Sequence, residues 1–237
     1  MRRFFVKKEN ITNDFVFVCD KDYLHLSNVL RLGCGDEIVC FCGDGFDYFC
    51  KIIEMNKKFA KCELLNKILS EKTPKAKVTL FQGITKGDKL DLIVQKMTEL
   101  GVSEVFFFKS DFTSRKMGEC KTDKLKINSI EASKQCGRSD TMQIFGILTF
   151  KNLLEKLKAF DRVIFAYERQ EGVAFPDLQG KVAIVIGSEG GFSQDEYKSL
   201  LSLNNITCVS LGKRILRSET ASIALASVVM EKMGEWR

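Results

Sequence analysis

The chain has 237 residues, of which 45% are hydrophobic and 29% are charged. At this length such a composition can bury a substantial core, so a disordered or collagen-like chain is excluded, and one or two domains are expected rather than a long series of modules. The formal net charge of +6 permits a polyanionic partner without requiring one.

The first 70 residues are predicted to be rich in β-strands. Strands are indicated at Phe15–Val18, Glu37–Cys42, Phe46–Ile53 and Phe59–Leu65. The turn Gly43-Asp44-Gly45 indicates a hairpin between the second and third of these strands. A short helix is predicted for His25–Leu32, because glycines follow it at 33 and 35. Together these elements predict a small β-barrel domain over residues 1–70.

From residue 74 onwards the pattern changes to strands that alternate with helices, after the polar segment Ser70–Lys77, which contains one of only two prolines. Strands are indicated at Val78–Phe81, Val105–Phe108, Val163–Ala166, Val182–Ile186 and Thr207–Leu211. Helices are indicated at Asp88–Leu100, Thr122–Gln135, Asn152–Lys158 and Ser218–Lys232. This alternation predicts an α/β domain with a mostly parallel sheet over residues 74–237. The uniformly apolar run Val182–Ile186 is typical of a strand that is buried on both faces.

Nine cysteines are scattered along the chain without the dense spacing of a small secreted scaffold, which indicates reduced thiols. No metal is expected, because Cys34, Cys40, Cys42 and Cys50 lack the paired spacing of zinc sites and His25 is the only histidine. The N-terminal apolar stretch is too short for a signal peptide, and no run approaches the ~20 apolar residues that cross a bilayer. We therefore expect a soluble, cytoplasmic protein.

The most informative segment is the glycine-rich turn Gly187–Phe192, which directly follows the buried strand. Ser193 and Glu196 fit a capping box at the start of a following helix. Glycines let backbone groups approach a ligand closely at the carboxyl end of a strand, where α/β folds bind nucleotide-like molecules. Neither the dinucleotide nor the ATP fingerprint is present, so a phosphate-binding role is not supported. Taken alone, a tight strand-to-helix turn explains these glycines equally well.

A second polar loop, Leu211–Ala221, follows the next strand and opens a helix that is rich in small residues. Two loops at neighbouring strand ends can enclose an adenosine without contacting phosphate, and Glu189 or Glu219 would offset a cationic centre in the ligand. The alternative is that Arg217 and Glu219 form a surface ion pair at the start of the helix.

Five stretches together resemble the RsmE family of bacterial SPOUT-class methyltransferases, which modify N3 of one uridine in 16S ribosomal RNA. They are HLSNVLRLGCGDEI at 25–38, GITKGDKLDLIVQKMTELGV at 83–102, EASKQCGR at 131–138, GSEGGF at 187–192 and LGKRILRSETA at 211–221. The resemblance covers nearly the whole chain in order. It implies an N-terminal PUA-like RNA-binding β-barrel, a C-terminal SPOUT domain with a deep trefoil knot, S-adenosyl-L-methionine as methyl donor, and a homodimer that acts on 16S rRNA in the small ribosomal subunit.

The resemblance also implies which residues form the sites. Cofactor contacts are expected from Tyr167, Glu168, Gly187, Ser188, Glu189, Gly190, Gly191, Leu211, Gly212, Leu216, Arg217, Ser218, Glu219 and Thr220. RNA contacts are expected from Arg2, Arg3, Arg31, Arg115, Lys116 and Arg138. Two departures stand out: Ser188 replaces a loop proline that is usual in the family, which would loosen the cofactor loop, and Thr141–Ile144 also lacks a proline. Neither departure removes a reactive group.

The distribution of charge indicates where RNA would bind. Lys109–Arg138 contains eight basic residues against four acidic ones, so a phosphate track is expected there, although a solvated helix face is the simpler explanation for any single lysine. At the N-terminus, Arg2 and Arg3 precede Phe4 and Phe5, a combination that would hold a phosphate and stack a base.

Methylation of uracil N3 requires removal of its proton and exposure of its Watson–Crick edge. Because arginine cannot accept a proton, we expect Arg138 to stabilise the imide anion while solvent or a carboxylate, Glu189 or Glu219, accepts the proton. Two other functions stay open: a methyltransferase of the same fold that acts on tRNA or large-subunit rRNA, and a catalytically silent RNA-binding assembly factor. The intact Leu211–Ala221 stretch counts against the silent factor.

Overall fold

The computed structural model describes residues 1–86, 88–113, 122–167 and 174–236. The chain divides into two compact units, which are Met1–Thr73 with Ile130–Thr141, and Pro74–Ser129 with Met142–Arg237. The sequence indicated two consecutive domains with a boundary between residues 70 and 74. The structure adds a distant segment, Ile130–Thr141, to the first unit, because that segment pairs with residues near the N-terminus.

The first unit is built on a five-stranded sheet. Its strands are β1 (Arg2–Phe5), β2 (Phe15–Cys19), β3 (Glu37–Phe41), β4 (Phe46–Met55) and β5 (Phe59–Leu69). Their order is β1-β3-β4-β5-β2, and every pair is antiparallel except β1 with β3. The predicted hairpin is therefore confirmed, whereas β1 was not predicted, since its two arginines interrupt any apolar alternation.

The helical part of the first unit begins earlier than the sequence predicted. Helix α1 spans Asp20–Leu24, and a π-helical turn follows at His25–Val29. The predicted helix over His25–Leu32 is confirmed over His25–Val29, but the helical segment already begins at Asp20, and residues 30–32 are not helical. Asp20 and Asp22 lie in the first turn, where carboxylates are favoured by the positive end of the helix dipole.

Side-chain alternation along the strands creates the core of the first unit. Phe4 is only 1% exposed and packs there with residues of β2 and β3, so the expectation that it stacks an RNA base was wrong. Cys40, Cys50 and Cys62 also lie in this core. Burial raises the pKa of the Cys62 thiol to about 12, so this group remains protonated at neutral pH.

Hydrogen bonds explain why residues 130–141 belong to the first unit. Arg3 Nη2 donates to Ser139 Oγ at 2.6 Å and pairs with Asp47 Oδ1 at 2.8 Å. The Ser139 hydroxyl also donates to Asp47, and the Gly45 amide donates to the Ser139 carbonyl at 3.2 Å. Ser139 is thus joined to both β1 and the start of β4.

The second unit contains a six-stranded, fully parallel sheet. Its strands are β6 (Lys77–Gly83), β7 (Glu104–Phe108), β8 (Gln143–Leu148), β9 (Arg162–Ala166), β10 (Lys181–Ile186) and β11 (Ile206–Val209), in the order β11-β9-β10-β6-β7-β8. The helices that follow α1 are α2 (Lys89–Leu100), α3 (Thr122–Cys136), α4 (Phe150–Leu157), α5 (Gln194–Leu201) and α6 (Ser218–Lys232). The predicted parallel α/β arrangement is confirmed. Only β8, a half-exposed edge strand, was not predicted.

Apolar layers cover both faces of the parallel sheet. Helices α2 and α6 pack on one face, and α4 and α5 pack on the other. In β10, Val182, Ile184 and Ile186 face the first layer, while Ala183 and Val185 face the second. This confirms that the uniformly apolar run is buried on both sides.

The order of the strands indicates at which edge of the sheet a ligand is expected. The chain builds β6, β7 and β8 in one direction, then crosses to β9 and places β10 between β9 and β6. Ligands of open parallel sheets bind beyond the carboxyl ends of the strands near such a reversal. Within the described ranges, no helix is long and apolar enough to cross a membrane.

Candidate functional site

A pocket of about 420 Å³ opens where β9, β10 and β11 end. One wall is the loop Gly187–Phe192, the opposite wall is the loop Leu211–Arg217, and Ala166, Tyr167 and Ile186 also line it. Its volume lies within the usual range for small-molecule sites, which runs from about 300 to 1,000 Å³. The two loops that the sequence singled out therefore line one pocket.

Most of the predicted cofactor residues line this pocket. They are Tyr167, Gly187, Ser188, Glu189, Gly190, Gly191, Leu211, Gly212, Leu216, Arg217 and Ser218. Glu219 and Thr220 lie in the first turn of α6 but not in the pocket lining, and Glu168 lies outside the described residues. Cofactor contact by each residue stays a prediction.

Close packing explains the glycines of the first loop. A β-carbon at Gly187 would lie 2.8 Å from the Phe192 ring, and one at Gly190 would lie 2.7 Å from the Phe112 carbonyl oxygen. At the end of β6, a β-carbon on Gly83 would lie 2.7 Å from the carbonyl carbon of Gly187. All three distances are shorter than real β-carbon contacts, so the loop can lie against β6 and its neighbours only because these side chains are absent.

A buried hydrogen-bond network connects this loop to α6. Gln82 Nε2 donates to Ser218 Oγ at 2.9 Å, and Ser218 Oγ donates to the Gly187 carbonyl at 2.6 Å. Ser222 Oγ lies 2.5 Å from Gln82 Oε1 and 2.8 Å from the Ser218 carbonyl oxygen, so its single proton is donated to one or the other. The sequence analysis did not single out Gln82. An amide side chain in a strand that also carries Lys77 and Thr79 gave no distinctive signal.

Two carboxylates share one lysine at the pocket. Lys89 Nζ lies 3.0 Å from Glu189 Oε1 and 3.4 Å from Glu219 Oε2. The Lys86 amide also donates to Glu189 Oε1 at 3.0 Å. Glu219 therefore pairs with Lys89 rather than with Arg217, which is exposed. Lys89 was not predicted as a site residue.

These contacts set the charge state of the cluster. Although burial opposes ionisation, hydrogen bonds from the Lys86 amide and from Lys89 hold the pKa of Glu189 below its usual value. The hydrogen bond to Glu189 in turn raises the pKa of Lys89. The buried Oε2 atom of Glu219 makes no hydrogen bond within the described residues, and its contact is the 3.4 Å ion pair with Lys89. The cluster therefore carries two carboxylates against one lysine.

Further contacts fix the first loop from its outer side. Ser188 Oγ lies 3.3 Å from Ser110 Oγ, and the Gly191 amide donates to the Ser188 carbonyl at 3.0 Å. Ser188 thus forms a side-chain contact that a proline could not form, and the structure gives no sign that it loosens the loop. The predicted capping box of Ser193 and Glu196 is confirmed, with amide-to-side-chain distances of 2.9 and 3.3 Å.

The first unit contains a separate, mostly basic cleft of about 670 Å³. Basic residues in its lining are Arg2, Arg3, Lys21, Lys72 and Lys134, together with His25. Lys134 is paired with Asp22 at 2.6 Å and with Glu131 at 2.8 Å. Because Arg3 is already paired with Asp47, the cations of the lining that lie outside these ion pairs are Arg2, Lys21 and Lys72.

The other predicted RNA-binding residues have different surroundings. Arg138 is only 2% exposed, and its Nε and Nη2 groups each donate to the Asp140 carboxylate at 2.7 Å. Arg31 is exposed and has a backbone φ of 52°. It does not line the cleft. Arg115 and Lys116 lie outside the described residues. RNA contact by these residues stays a prediction.

Family models match both parts of the chain. One described as an RNA methyltransferase PUA domain matches residues 18–65, and one described as an RNA methyltransferase domain matches residues 71–230. The fold and the pocket thus place the protein in the class of RNA methyltransferases that carry a PUA domain.

Individual relatives define the family within that class. Ribosomal RNA small subunit methyltransferase E of Bacillus subtilis is 30% identical over 97% of this chain and 96% of its own length. The protein of that name from Mesomycoplasma hyopneumoniae is 31% identical, over 95% and 97%. The structure of this enzyme from Neisseria gonorrhoeae, bound to S-adenosyl methionine, matches with a TM-score of 0.85 and 26% identity, over 98% and 97% of the two chains. The chain belongs to the ribosomal RNA small subunit methyltransferase E family, as its motifs predicted.

Proposed function

We propose that this protein transfers a methyl group from S-adenosyl-L-methionine to N3 of one uridine in 16S rRNA of the small ribosomal subunit. One observation carries the proposal: the two loops that hold the family motifs form a single pocket, in a chain related over its whole length to small subunit methyltransferase E. The protein is accordingly an rRNA methyltransferase, and its methyl donor is S-adenosyl-L-methionine.

The pocket suits this donor chemically. S-adenosyl-L-methionine supplies an electrophilic methyl group on a positively charged sulfonium centre. The apolar side chains of Ile186, Leu211 and Leu216 provide a surface for the adenosine. Glu189, which lines the pocket and whose pKa is lowered, stays anionic at neutral pH. Its negative charge favours a ligand that carries positive charge.

The same geometry separates the two carboxylates that were proposed as proton acceptors. A lowered pKa makes Glu189 a weak base, and its oxygen already accepts from Lys86 and Lys89. Its role is therefore electrostatic. Glu219 Oε2 lies 3.4 Å from Lys89 Nζ, a longer contact than the 3.0 Å one of Glu189, so Glu219 is the less tightly held carboxylate candidate for the uracil proton, with solvent as the alternative.

Arg138 is proposed to stabilise the uracil imide anion. Its guanidinium is buried and paired with Asp140, so the imide would have to compete with that carboxylate. Arg138→Lys should lower turnover on small subunits by about 100-fold while leaving donor affinity unchanged, because lysine cannot donate through two parallel N–H groups. Full turnover by a folded Arg138→Lys enzyme would remove Arg138 from this role.

We propose that the first unit binds RNA through its basic cleft. Arg2, Lys21 and Lys72 provide charges for phosphate groups, while Arg3 holds the cleft wall through Asp47 and Ser139. Arg31, Arg115 and Lys116 remain proposed phosphate contacts. A ribosomal substrate also supports a cytoplasmic location.

We propose further that the second unit contains a trefoil knot and forms a homodimer. In support, β10 is inserted between β9 and β6, and α6 packs back against α2 and β6 rather than beside β11. Leu92 on α2 and Val228 on α6 leave apolar surface exposed, which a second subunit would cover. Light scattering of the purified protein should give twice the chain mass.

The decisive experiment uses purified small subunits, large subunits and tRNA that lack the modification. Each is incubated with the protein and methyl-labelled donor, digested to nucleosides and analysed by mass spectrometry. We expect 3-methyluridine from small subunits alone. Methylation of another RNA would redirect the activity to that substrate, and absence of both donor binding and methylation would favour a silent assembly factor.

A further inference from the structure

A third cleft, of about 480 Å³, lies at the amino edge of the parallel sheet, the edge opposite the cofactor pocket. Lys77, Glu104 and Lys181 are the first residues of β6, β7 and β10, and all three line this cleft. Lys156, in the last turn of α4, lies on its rim. None of the chemistry proposed above uses these residues.

The floor of this cleft ends in a stack of aromatic rings. The Phe81 and Phe106 rings are 5.2 Å apart with 13° between their planes, and the Phe106 and Phe145 rings are 4.1 Å apart with 4°. Phe145, the outermost ring, is 37% exposed. A flat ring at the open end of a parallel stack is a surface on which another planar group can stack.

The lining of the cleft carries three lysines against one carboxylate. Lys77, Lys156 and Lys181 are exposed, and none of them forms an ion pair within the described residues. Glu104, the only acidic residue of the lining, accepts a hydrogen bond from Thr79 Oγ1 at 3.0 Å. Lys156 Nζ also lies 4.7 Å from the Phe106 ring centroid. An aromatic platform and uncompensated lysines thus occupy the same cleft.

We propose that this aromatic-lysine cleft binds a nucleotide of single-stranded RNA, with the base on Phe145 and the phosphate among the three lysines. Stacking platforms beside positive charge are the usual means of holding single strands. An apolar protein partner would instead have to cover three ammonium groups without supplying countercharge, which is costly. Only the identity of the strand, 16S rRNA, rests on the proposed function.

The test compares variants of the full-length protein for binding of a fluorescently labelled oligouridylate. Lys77→Ala/Lys156→Ala should weaken binding about tenfold. It should also reduce the slope of log affinity against log salt concentration by about 0.7, since one phosphate contact is lost. Phe145→Leu should weaken binding about fivefold without changing the slope. The control, Lys151→Ala/Lys198→Ala, removes the same charge from exposed sites outside the cleft and should bind as wild type does.

A second readout locates the base directly. An oligonucleotide that contains 5-iodouridine should crosslink under ultraviolet light to the peptide that contains Phe145, and the crosslink should disappear in Phe145→Leu. Unchanged affinity and no such crosslink would overturn the inference. So would a Phe145→Glu variant that changes the protein from dimer to monomer, because the cleft would then be a subunit interface.

The test of the cleft and the test of the proposed function can fail independently. Donor binding and methylation of small subunits are measured with the wild-type protein alone. Wild-type methylation together with unaltered RNA binding by the cleft variants would contradict the cleft and leave the proposed activity in place. Weakened RNA binding by those variants, with no wild-type methylation, would support the cleft and contradict the proposed activity.

Discussion

The two walls of the candidate cofactor pocket are built in opposite ways. The wall at Gly187–Phe192 is held by hydrogen bonds from Ser218 and by the contact of Ser188 with Ser110. The wall at Leu211–Arg217 is mostly exposed, and its Ile215 side chain is 85% exposed. One wall is therefore organised by the protein itself, while the other has fewer such contacts among the described residues, chiefly that of Ser210 with Gly212.

This difference implies that the two walls contribute differently to ligand binding. A wall that is already fixed costs little to order and provides specificity, whereas an exposed wall must lose conformational freedom when the ligand arrives. We therefore expect substitutions that disturb the fixed wall to damage both stability and affinity. Substitutions in the exposed wall should affect affinity alone.

The largest effect is expected from Gly83→Ala. The new methyl group would overlap the backbone of Gly187 and displace the fixed wall, with about 3 kcal/mol of lost stability and about 100-fold weaker donor binding. Gly146→Ala is the matched control, since a β-carbon there has nothing within 4 Å. Thermal unfolding and calorimetry would measure both quantities. Wild-type behaviour of Gly83→Ala would show that the wall is not rigid.

A smaller effect is expected from Gln82→Leu. Leucine cannot bond to Ser218 or Ser222, so their buried hydroxyls lose a partner, at a cost of about 2 kcal/mol in unfolding free energy. Donor affinity should fall about tenfold, because Ser218 holds the Gly187 carbonyl. Gln82→Glu keeps the shape of the side chain but introduces a negative charge at a buried position. Its unfolding free energy should therefore be lower than that of Gln82→Leu. An equal loss in both variants would mean that the hydrogen bonds contribute nothing specific.

Lys89→Met should alter the pH dependence of donor binding. In the wild type the lowered pKa keeps Glu189 ionised as the pH falls from about 7 to about 5, so affinity should stay constant. Without Lys89, burial and the nearby Glu219 both raise the pKa of Glu189, so it takes up a proton at higher pH and affinity falls within that range. Lys86→Met, which removes an exposed side chain of equal charge, should keep the flat profile. Parallel profiles for both variants would contradict the shared-lysine cluster.

The smallest effect on stability is expected from Ile215→Ser in the exposed wall. Because this side chain packs on little, the unfolding free energy should change by less than about 0.5 kcal/mol, while donor affinity falls several-fold. Trypsin cleavage after Lys213 or Arg214 should be slowed by the donor in the wild type and less so in the variant. A cleavage rate that the donor does not change would show that this wall is not ordered by the ligand.

Local patterns predicted much of the fold. Helix α6 has the predicted bounds, α2 ends at Gly101 with a φ of 92°, and the capping box at Ser193 forms as expected. Each of these features depends on residues within a few positions of one another. Strand β1 and the segment Ile130–Thr141 escaped prediction, because only pairing with distant parts of the chain gives them their place.

In the candidate site, too, the features set by nearby residues were predictable and those set by distant contacts were not. Its two loops were identifiable because glycines after a buried strand and small residues in a helix are local signals. The residues that organise the site were not identifiable in this way: Gln82 bonds to Ser218 across 136 positions, and Lys89 reaches Glu189 across 100. A glutamine in a strand or a lysine in a helix has no distinctive neighbours in sequence.

By itself, then, the sequence determined the two kinds of domain, the two loops that line the candidate pocket, and the family. Only the tertiary structure decided that Gln82 supports one loop, that two carboxylates share Lys89, and that Arg138 and Phe4 are buried. The physical reason is that turn and helix preferences act within a few residues, whereas charge pairing and burial depend on which distant segments the folded chain brings into contact.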